Sequence, residues 1–156
     1  MIIFINGSIN SGKSTVGRLL AEKFNYEFIE FDDIRHTIPE PNIDKALPLV
    51  FEKGIKLLNK LDKNGESAIV AYPLSQNNYD LLKSKLSILP RVITLSPRLD
   101  VVLKDRGDRK LDDAERERIK YHYQIGINNP KFGFVIDNSD QSVKETVESI
   151  IKLIAK

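Results

Sequence analysis

Residues 7–14 read Gly7-Ser8-Ile9-Asn10-Ser11-Gly12-Lys13-Ser14, and no other stretch of the 156-residue chain constrains its fold as tightly. The segment fills every fixed position of the pattern G-x-x-x-x-G-K-[ST], with Thr15 after it. With glycine near 7% of residues, the four fixed positions should coincide by chance in roughly one such chain in a few hundred. The flanks argue further against chance. The β-branched and aromatic run Ile2 to Ile5 reads as a buried parallel strand, and Val16, Leu19, Leu20 and Phe24 recur at helical spacing from about Lys13 to Phe24. A loop between such a strand and helix turns backbone N–H groups inward on an anion, which needs glycine at its tight points. The helix aims its positive end at the same place. Lys13 would then reach the β- and γ-phosphates of a nucleotide, and the Ser14 hydroxyl would ligate Mg²⁺.

The rest of the chain alternates strand and helix. Asn25 is a stop signal for the first helix, and Tyr26 to Phe31 reads as a second strand. Residues 37–44, with two prolines and an asparagine, read as a loop. A helix follows from about Ile43 to Leu61, stopping near Asn64-Gly65. Ser67 to Tyr72 reads as a strand, Asn77 to Leu86 as a helix and Arg91 to Leu95 as a fourth strand. Ser96-Pro97 looks like an N-cap followed by a first-turn proline. The charged stretch Arg98 to Tyr123 reads as two helical pieces hinged near Gly107, Phe132 to Ile136 as a fifth strand, and Val143, Val147, Ile150, Ile151 and Ile154 as one face of a last helix. This order predicts a parallel sheet covered on both faces, in one domain spanning residues 1–156.

Composition excludes several chemistries. The chain has no cysteine, so disulfides, thiolate metal sites and cysteine nucleophiles are ruled out, and two histidines are too few for a His-based zinc site without carboxylates. The net charge of +2 gives no global field for nucleic acid or acidic membranes. The apolar start is too short for a signal sequence, and no apolar run approaches the roughly 20 residues of a membrane span. A cytoplasmic protein with neither nucleic acid nor membrane as partner is the expectation.

Glu30-Phe31-Asp32-Asp33-Ile34-Arg35-His36 falls at the carboxyl end of the second strand, where ligands bind in open α/β sheets. A carboxylate there could orient or deprotonate an acceptor hydroxyl, and an arginine three residues on could hold an anionic group. Equally, the acids could cap a helix with Arg35 in solvent.

Beside the phosphate loop, this segment resembles the small kinases of the P-loop superfamily: shikimate kinase, gluconate kinase, adenylylsulfate kinase and chloramphenicol phosphotransferase. Shikimate and gluconate kinases carry D-x-D after the second strand, matched here by Glu30 and Asp32; adenylylsulfate kinase has D-G-D-N-V-R-H, echoed by residues 30–36. Polynucleotide kinases have a similar D-D-x-R, which Asp32 to Arg35 satisfies. The resemblance implies a five-stranded sheet in the order 2-3-1-4-5, ATP and Mg²⁺ as cofactors, Asp32 activating the acceptor hydroxyl, Asp33 beside it, and Arg35 gripping an acidic group. Glu30 replaces the first aspartate of the pattern as a candidate metal ligand beside Ser14.

The third strand lacks the acid that holds the metal in GTPases and motor ATPases, which argues against those classes. Tyr72 and Pro73 either line an acceptor pocket or merely end the strand. Leu103 to Arg109 resembles the lid of these kinases, and chloramphenicol phosphotransferases show a similar R-G-D-R. The resemblance implies a lid at about 104–118, Arg106 near the adenine and Arg109 swinging onto the phosphates. Asp137-Asn138-Ser139 matches the adenine side, or caps the last helix. His122 has no evident partner in the sequence and reads as structural.

Taken together, Gly7, Asn10, Ser11, Gly12, Lys13, Ser14, Thr15 and Arg106 are expected to bind nucleotide; Asp32, Asp33, Arg35 and Tyr72 to bind the acceptor; and Lys13, Asp32 and Arg109 to act in transfer. The expected reaction moves the γ-phosphoryl group of ATP to a hydroxyl of a small molecule, neutral or anionic, bound by a helical region at about 33–64. A nucleoside monophosphate kinase is an alternative, against which stands the lack of arginine between residues 37 and 75. A non-catalytic nucleotide-binding regulator is another.

Overall fold

A computed structural model of the chain describes residues 1–155. Five parallel strands form one sheet in the order β2-β3-β1-β4-β5. The strands are β1 (Ile2–Gly7), β2 (Glu27–Glu30), β3 (Ala68–Ala71), β4 (Arg91–Leu95) and β5 (Phe134–Ile136). The helices are α1 (Lys13–Phe24), α2 (Phe31–His36), α3 (Ile43–Lys63), α4 (Gln76–Lys85), α5 (Leu99–Val102), α6 (Asp113–Gln124) and α7 (Val143–Ile154). β1 is central, pairing Ile3 with Ile69 of β3 and Ile5 with Ile93 of β4.

Because side chains alternate along a strand, the two faces of β1 feed two cores. Ile2 and Phe4 join Phe31, Phe51, Leu58 and Leu82 under α3 and α4. Ile3 and Ile5 join Val16, Leu20, Val147 and Ile150 under α1 and α7. An Asn6 network fixes the carboxyl end of the sheet. Its buried side chain donates to Thr94 Oγ1 at 2.9 Å and to the Ile127 carbonyl at 3.1 Å, and it accepts from Leu74 N–H at 2.7 Å. The loops following β3 and α6 are thereby anchored to β1 and β4 beside the phosphate loop.

The expected strand and helix order holds apart from α2, which takes Phe31 from the end of the expected second strand, and three further boundary shifts have physical causes. Ser96 N–H still pairs with the Ile136 carbonyl at 2.8 Å, so the chain leaves the sheet later than expected and α5 starts at Leu99, with Pro97 outside it. Gly133, at φ +70°, lies so close to β4 that a Cβ would sit 2.3 Å from the Val92 carbonyl oxygen. β5 therefore begins only after this turn, and Phe132 instead stacks on Tyr79 at 4.0 Å between ring centroids. The last helix is capped by Ser142 and Glu145 in a reciprocal capping box, not by residues 137–139.

Candidate active site

The phosphate loop owes its shape to three positive-φ residues, Gly7 among them at φ +144°. Gly12 sits at φ +97° and Asn10 at φ +63°. Gly7 is also required: a Cβ there would meet Ser11 Oγ at 2.5 Å and the Leu95 carbonyl at 2.6 Å. Gly12 leaves α1 without a side-chain cap. The first-turn N–H groups of Lys13, Ser14 and Thr15 consequently face the loop with no helical carbonyl behind them. Beneath the loop, Asn138 donates to the Ser11 carbonyl at 3.0 Å, and Asn138 Oδ1 and Ser11 Oγ are buried without hydrogen-bond partners among the described residues.

Lys13 reaches across its own loop to the Ser8 carbonyl at 2.7 Å. Burial pulls its pKa down to about 8, against the pull of Asp32 and Glu30 and with the help of Arg109. Ser14 donates its hydroxyl to Glu30, which also meets Arg18 at 3.4 Å. A hydroxyl and a carboxylate meeting at the edge of the phosphate loop are the oxygen donors a Mg²⁺–nucleotide needs from the protein, since Mg²⁺ takes most of its remaining ligands from water and phosphate. The donor set fits. Among the described residues no group of three or more acidic or histidine side chains forms a metal cage of its own.

Asp32 is on the first turn of α2, where loss of solvation raises its pKa, Lys13 opposes that and Glu30 adds to it. Two cavities meet at this residue. One of about 430 Å³ is lined by Gly12, Lys13, Ser14, Thr15, Arg106 and Arg109 together with Glu30 and Asp32. The other, of about 720 Å³, lies beyond it and is lined by Asp32, Arg35, Tyr72, Gln76, Arg118 and His122, with apolar walls from α3 and α6. Ile9 also borders both.

The other expected residues divide. Tyr72 lines the larger cavity; its ring packs on Phe31 and Phe51, and burial pushes its phenol up to about 12, so it stays protonated. Arg35 also lines it, but its guanidinium donates to the carbonyls of Ile38 at 3.1 Å and Glu40 at 2.7 Å, so much of its donor capacity is spent on the loop it follows. Asp33 faces away, onto a separate depression beside Thr37 and Lys53. The structure does not bring it to the acceptor cavity, because one residue along a helix rotates the side chain by about 100°.

The lid region forms the two expected helical pieces with a turn at Gly107 between them, though the first piece is short. α5 is a single turn, and Arg106 and Arg109 close a tight turn by exchanging backbone hydrogen bonds at 3.2 and 3.1 Å, with Gly107 at φ +58°. Asp112 then caps α6. Arg106 donates to the Asn10 carbonyl at 2.9 Å, while Arg109 borders the phosphate cavity but is paired with Glu115 at 2.6 Å. Arg116 meets Asp105 at 3.4 Å and Asp113 at 3.6 Å.

Two cavity residues were passed over in the sequence. Arg118, on α6, has no hydrogen bond or ion pair among the described residues and borders the larger cavity. His122 does have a partner: its Nδ1 lies 3.0 Å from Ser8 Oγ in the phosphate loop. Since 114 residues separate the two, no local pattern could have signalled the contact.

Comparison with known proteins agrees with this geometry. A family model described as shikimate kinase matches residues 9–54, which hold the phosphate loop from Ile9 onward, α1, β2, α2 and the start of α3. The shikimate kinase of Sulfurihydrogenibium sp. is 28% identical over 99% of this chain and 98% of its own length. Among solved structures, a gluconokinase from Sinorhizobium meliloti superposes with TM-score 0.76 at 20% identity, covering 98% of this chain and 90% of that one. A shikimate kinase from Acinetobacter baumannii in complex with shikimate gives 0.70 at 19% identity, covering 99% and 92%. These are kinases of hydroxyl acceptors, and they favour neither the nucleoside monophosphate kinase nor the regulator. The chain is an ATP-dependent small-molecule kinase, using Mg²⁺ and an alcohol acceptor, similar to the shikimate and gluconate kinases of the P-loop superfamily.

Proposed function

We propose that the enzyme phosphorylates a small, anionic, hydroxylated molecule seated in the 720 Å³ cavity, with Asp32 as the group that orients and deprotonates the reacting hydroxyl. The observation that carries this reading is the placement of Asp32 on the walls of both cavities, a position it shares, among the described residues, with Ile9 alone. A hydroxyl entering from the acceptor side meets the Asp32 carboxylate where the phosphate loop begins. Arg118, and Arg35 with what donor capacity it retains, supply the positive wall that favours an acid. A hydroxylated carboxylate such as shikimate is the first acceptor to test.

Bound ATP with Mg²⁺ supplies the transferable phosphoryl group and neutralises part of its charge. The chain supplies the rest. First-turn N–H groups of α1 and the Lys13 ammonium hold the phosphates, and Ser14 and Glu30 hold the metal side. Arg109 leaves Glu115 to cover the phosphates, and residues 104–118 act as the lid that shuts out water. Residues 33–64 form the acceptor-binding region of a single domain. We place the enzyme in the cytoplasm, with no nucleic acid or membrane partner. The charge of +2 supports this, as does the lack, among the described residues, of a helix long and apolar enough to cross a membrane.

The test is ATP-dependent phosphorylation of a panel of hydroxylated acids, sugars, nucleosides and antibiotics, with Asp32→Asn as control. Loss of a positioned base should lower turnover by about 10²- to 10⁴-fold while ATP binding persists. Unchanged transfer in that variant would remove Asp32 from the mechanism.

A further inference from the structure

Ser8 and His122 form a buried pair that the transfer mechanism leaves unused. Ser8 is fully buried in the phosphate loop; His122, in the last turn of α6, is 8% exposed and borders the acceptor cavity. Their contact, Ser8 Oγ to His122 Nδ1 at 3.0 Å, is the one side-chain partnership of either residue among the described residues.

The partnership fixes the tautomer. A serine hydroxyl has one hydrogen, and a neutral imidazole has one N–H and one bare nitrogen. If Nδ1 carried the hydrogen and donated to Ser8, the hydroxyl hydrogen would be left buried with no acceptor, at a cost of about 1–3 kcal/mol. The alternative satisfies both groups: Ser8 donates to a bare Nδ1, and the hydrogen resides on Nε2. A charged ring fails on the same count, and Lys13 and Arg118 oppose it further. Nε2–H has no hydrogen-bond partner among the described residues and is not among the buried unpartnered atoms, so it retains access to the space that His122 borders.

We propose that His122 is a specificity-determining residue whose Nε2–H donates to an uncharged oxygen of the acceptor other than the reacting hydroxyl, with Ser8 as its positioning residue. This rests on the reading of the larger cavity as the acceptor site. The substrate class is thereby narrowed to molecules with three separated features: a reacting hydroxyl for Asp32, an anionic group for Arg118, and a second hydroxyl or carbonyl for His122. Ser8 also makes the phosphate loop part of the acceptor site, since its carbonyl accepts from Lys13 while its hydroxyl steers the imidazole.

Two variants separate the roles of the ring nitrogens. In His122→Asn the side-chain oxygen can still accept from Ser8, but nothing replaces the Nε2–H donor; in His122→Gln an amide N–H reaches the Nε2 position. With the best-used member of the panel above, His122→Asn should raise the acceptor KM by about tenfold and leave the ATP KM within roughly twofold, the effect of one lost neutral hydrogen bond. His122→Gln should recover most of that loss. An unchanged acceptor KM in His122→Asn, or equal losses in both variants, overturns the assignment. If no panel member is turned over, the kinase-acceptor reading fails by itself, and ¹⁵N NMR of the unmodified protein still decides the His122 state. An Nε2–H tautomer that stays neutral down to acid pH supports the proposal; an Nδ1–H tautomer, or titration near the ordinary 6.5, refutes it.

Discussion

Asn10 and Arg106 hold each other across the active site. Asn10 donates through its side chain to the carbonyls of Val102 and Lys104, both at 2.9 Å, and Arg106 returns a bond to the Asn10 carbonyl at 2.9 Å. The phosphate loop thus grips both ends of the segment from which the lid springs. Asn10 serves the nucleotide site through this grip, and the left-handed backbone it needs at φ +63° is one that asparagine tolerates.

Asn10→Gly tests the grip, because glycine keeps the positive φ and removes only the side chain. Two lost bonds should free the root of the lid by about 1–3 kcal/mol. Amide hydrogen exchange across residues 104–110 should accelerate and the ATP KM should rise several-fold. Exchange unchanged from the parent would show that the side-chain bonds do not hold the lid.

Glu30→Gln addresses the metal side. The carboxylate receives the Ser14 hydroxyl and lies near Arg18, so the amide preserves size and one hydrogen bond while removing the charge. The Mg²⁺ concentration needed for half-maximal turnover should rise by roughly tenfold or more. Turnover at saturating Mg²⁺ should largely recover. A Mg²⁺ titration superimposable on the parent's would exclude Glu30 from the metal site.

Arg109 is held 2.6 Å from Glu115, and Glu115 also returns a bond to the Asp112 N–H at 3.2 Å in the α6 cap. Glu115→Gln can keep the cap and weaken the ion pair, so Arg109 should be released more readily and the ATP KM should fall. Arg109→Ala should instead lower kcat by roughly 10²-fold, as removal of one preorganised donor does. If both variants change kcat alike, the ion pair is part of the working state, and Arg109 does not need to leave it.

What could be read from the sequence depended on how local the determining contacts are. Gly7, Gly12 and Lys13 follow from one loop's geometry, and the strand and helix order follows from side-chain periodicity. Both are short-range, and both were legible. Arg118 was visible only as one charge among many on a polar helix, until the fold turned it to the cavity. Arg35 was read as gripping the acceptor or lying in solvent, because the Ile38 and Glu40 carbonyls become its partners only when the following loop folds back. Ser8–His122 and Asn138–Ser11 join residues 114 and 127 positions apart, and neither pair has a spacing that marks it. The hinge at Gly107 was legible as a glycine in a charged helical stretch, whereas the length of the break followed from the aspartate cap at 112, which delays α6.

The Ser8–His122 pair also sets an acid limit on stability. Burial, with Lys13 and Arg118 nearby, pushes the His122 pKa from 6.5 down to about 4. In the unfolded chain the ring takes up a proton as pH falls through 6.5, while in the folded chain it resists until near 4. Between these values the unfolded state binds more protons, so stability falls as pH falls; above 6.5 both states are neutral and the full stability is present. His122→Gln removes this group from the balance, and its denaturation midpoint should therefore decline less than the parent's across that window. Equal slopes in the two proteins would mean that the folded histidine takes up its proton as readily as the unfolded one. That result would contradict a buried neutral ring held by the Ser8 hydroxyl.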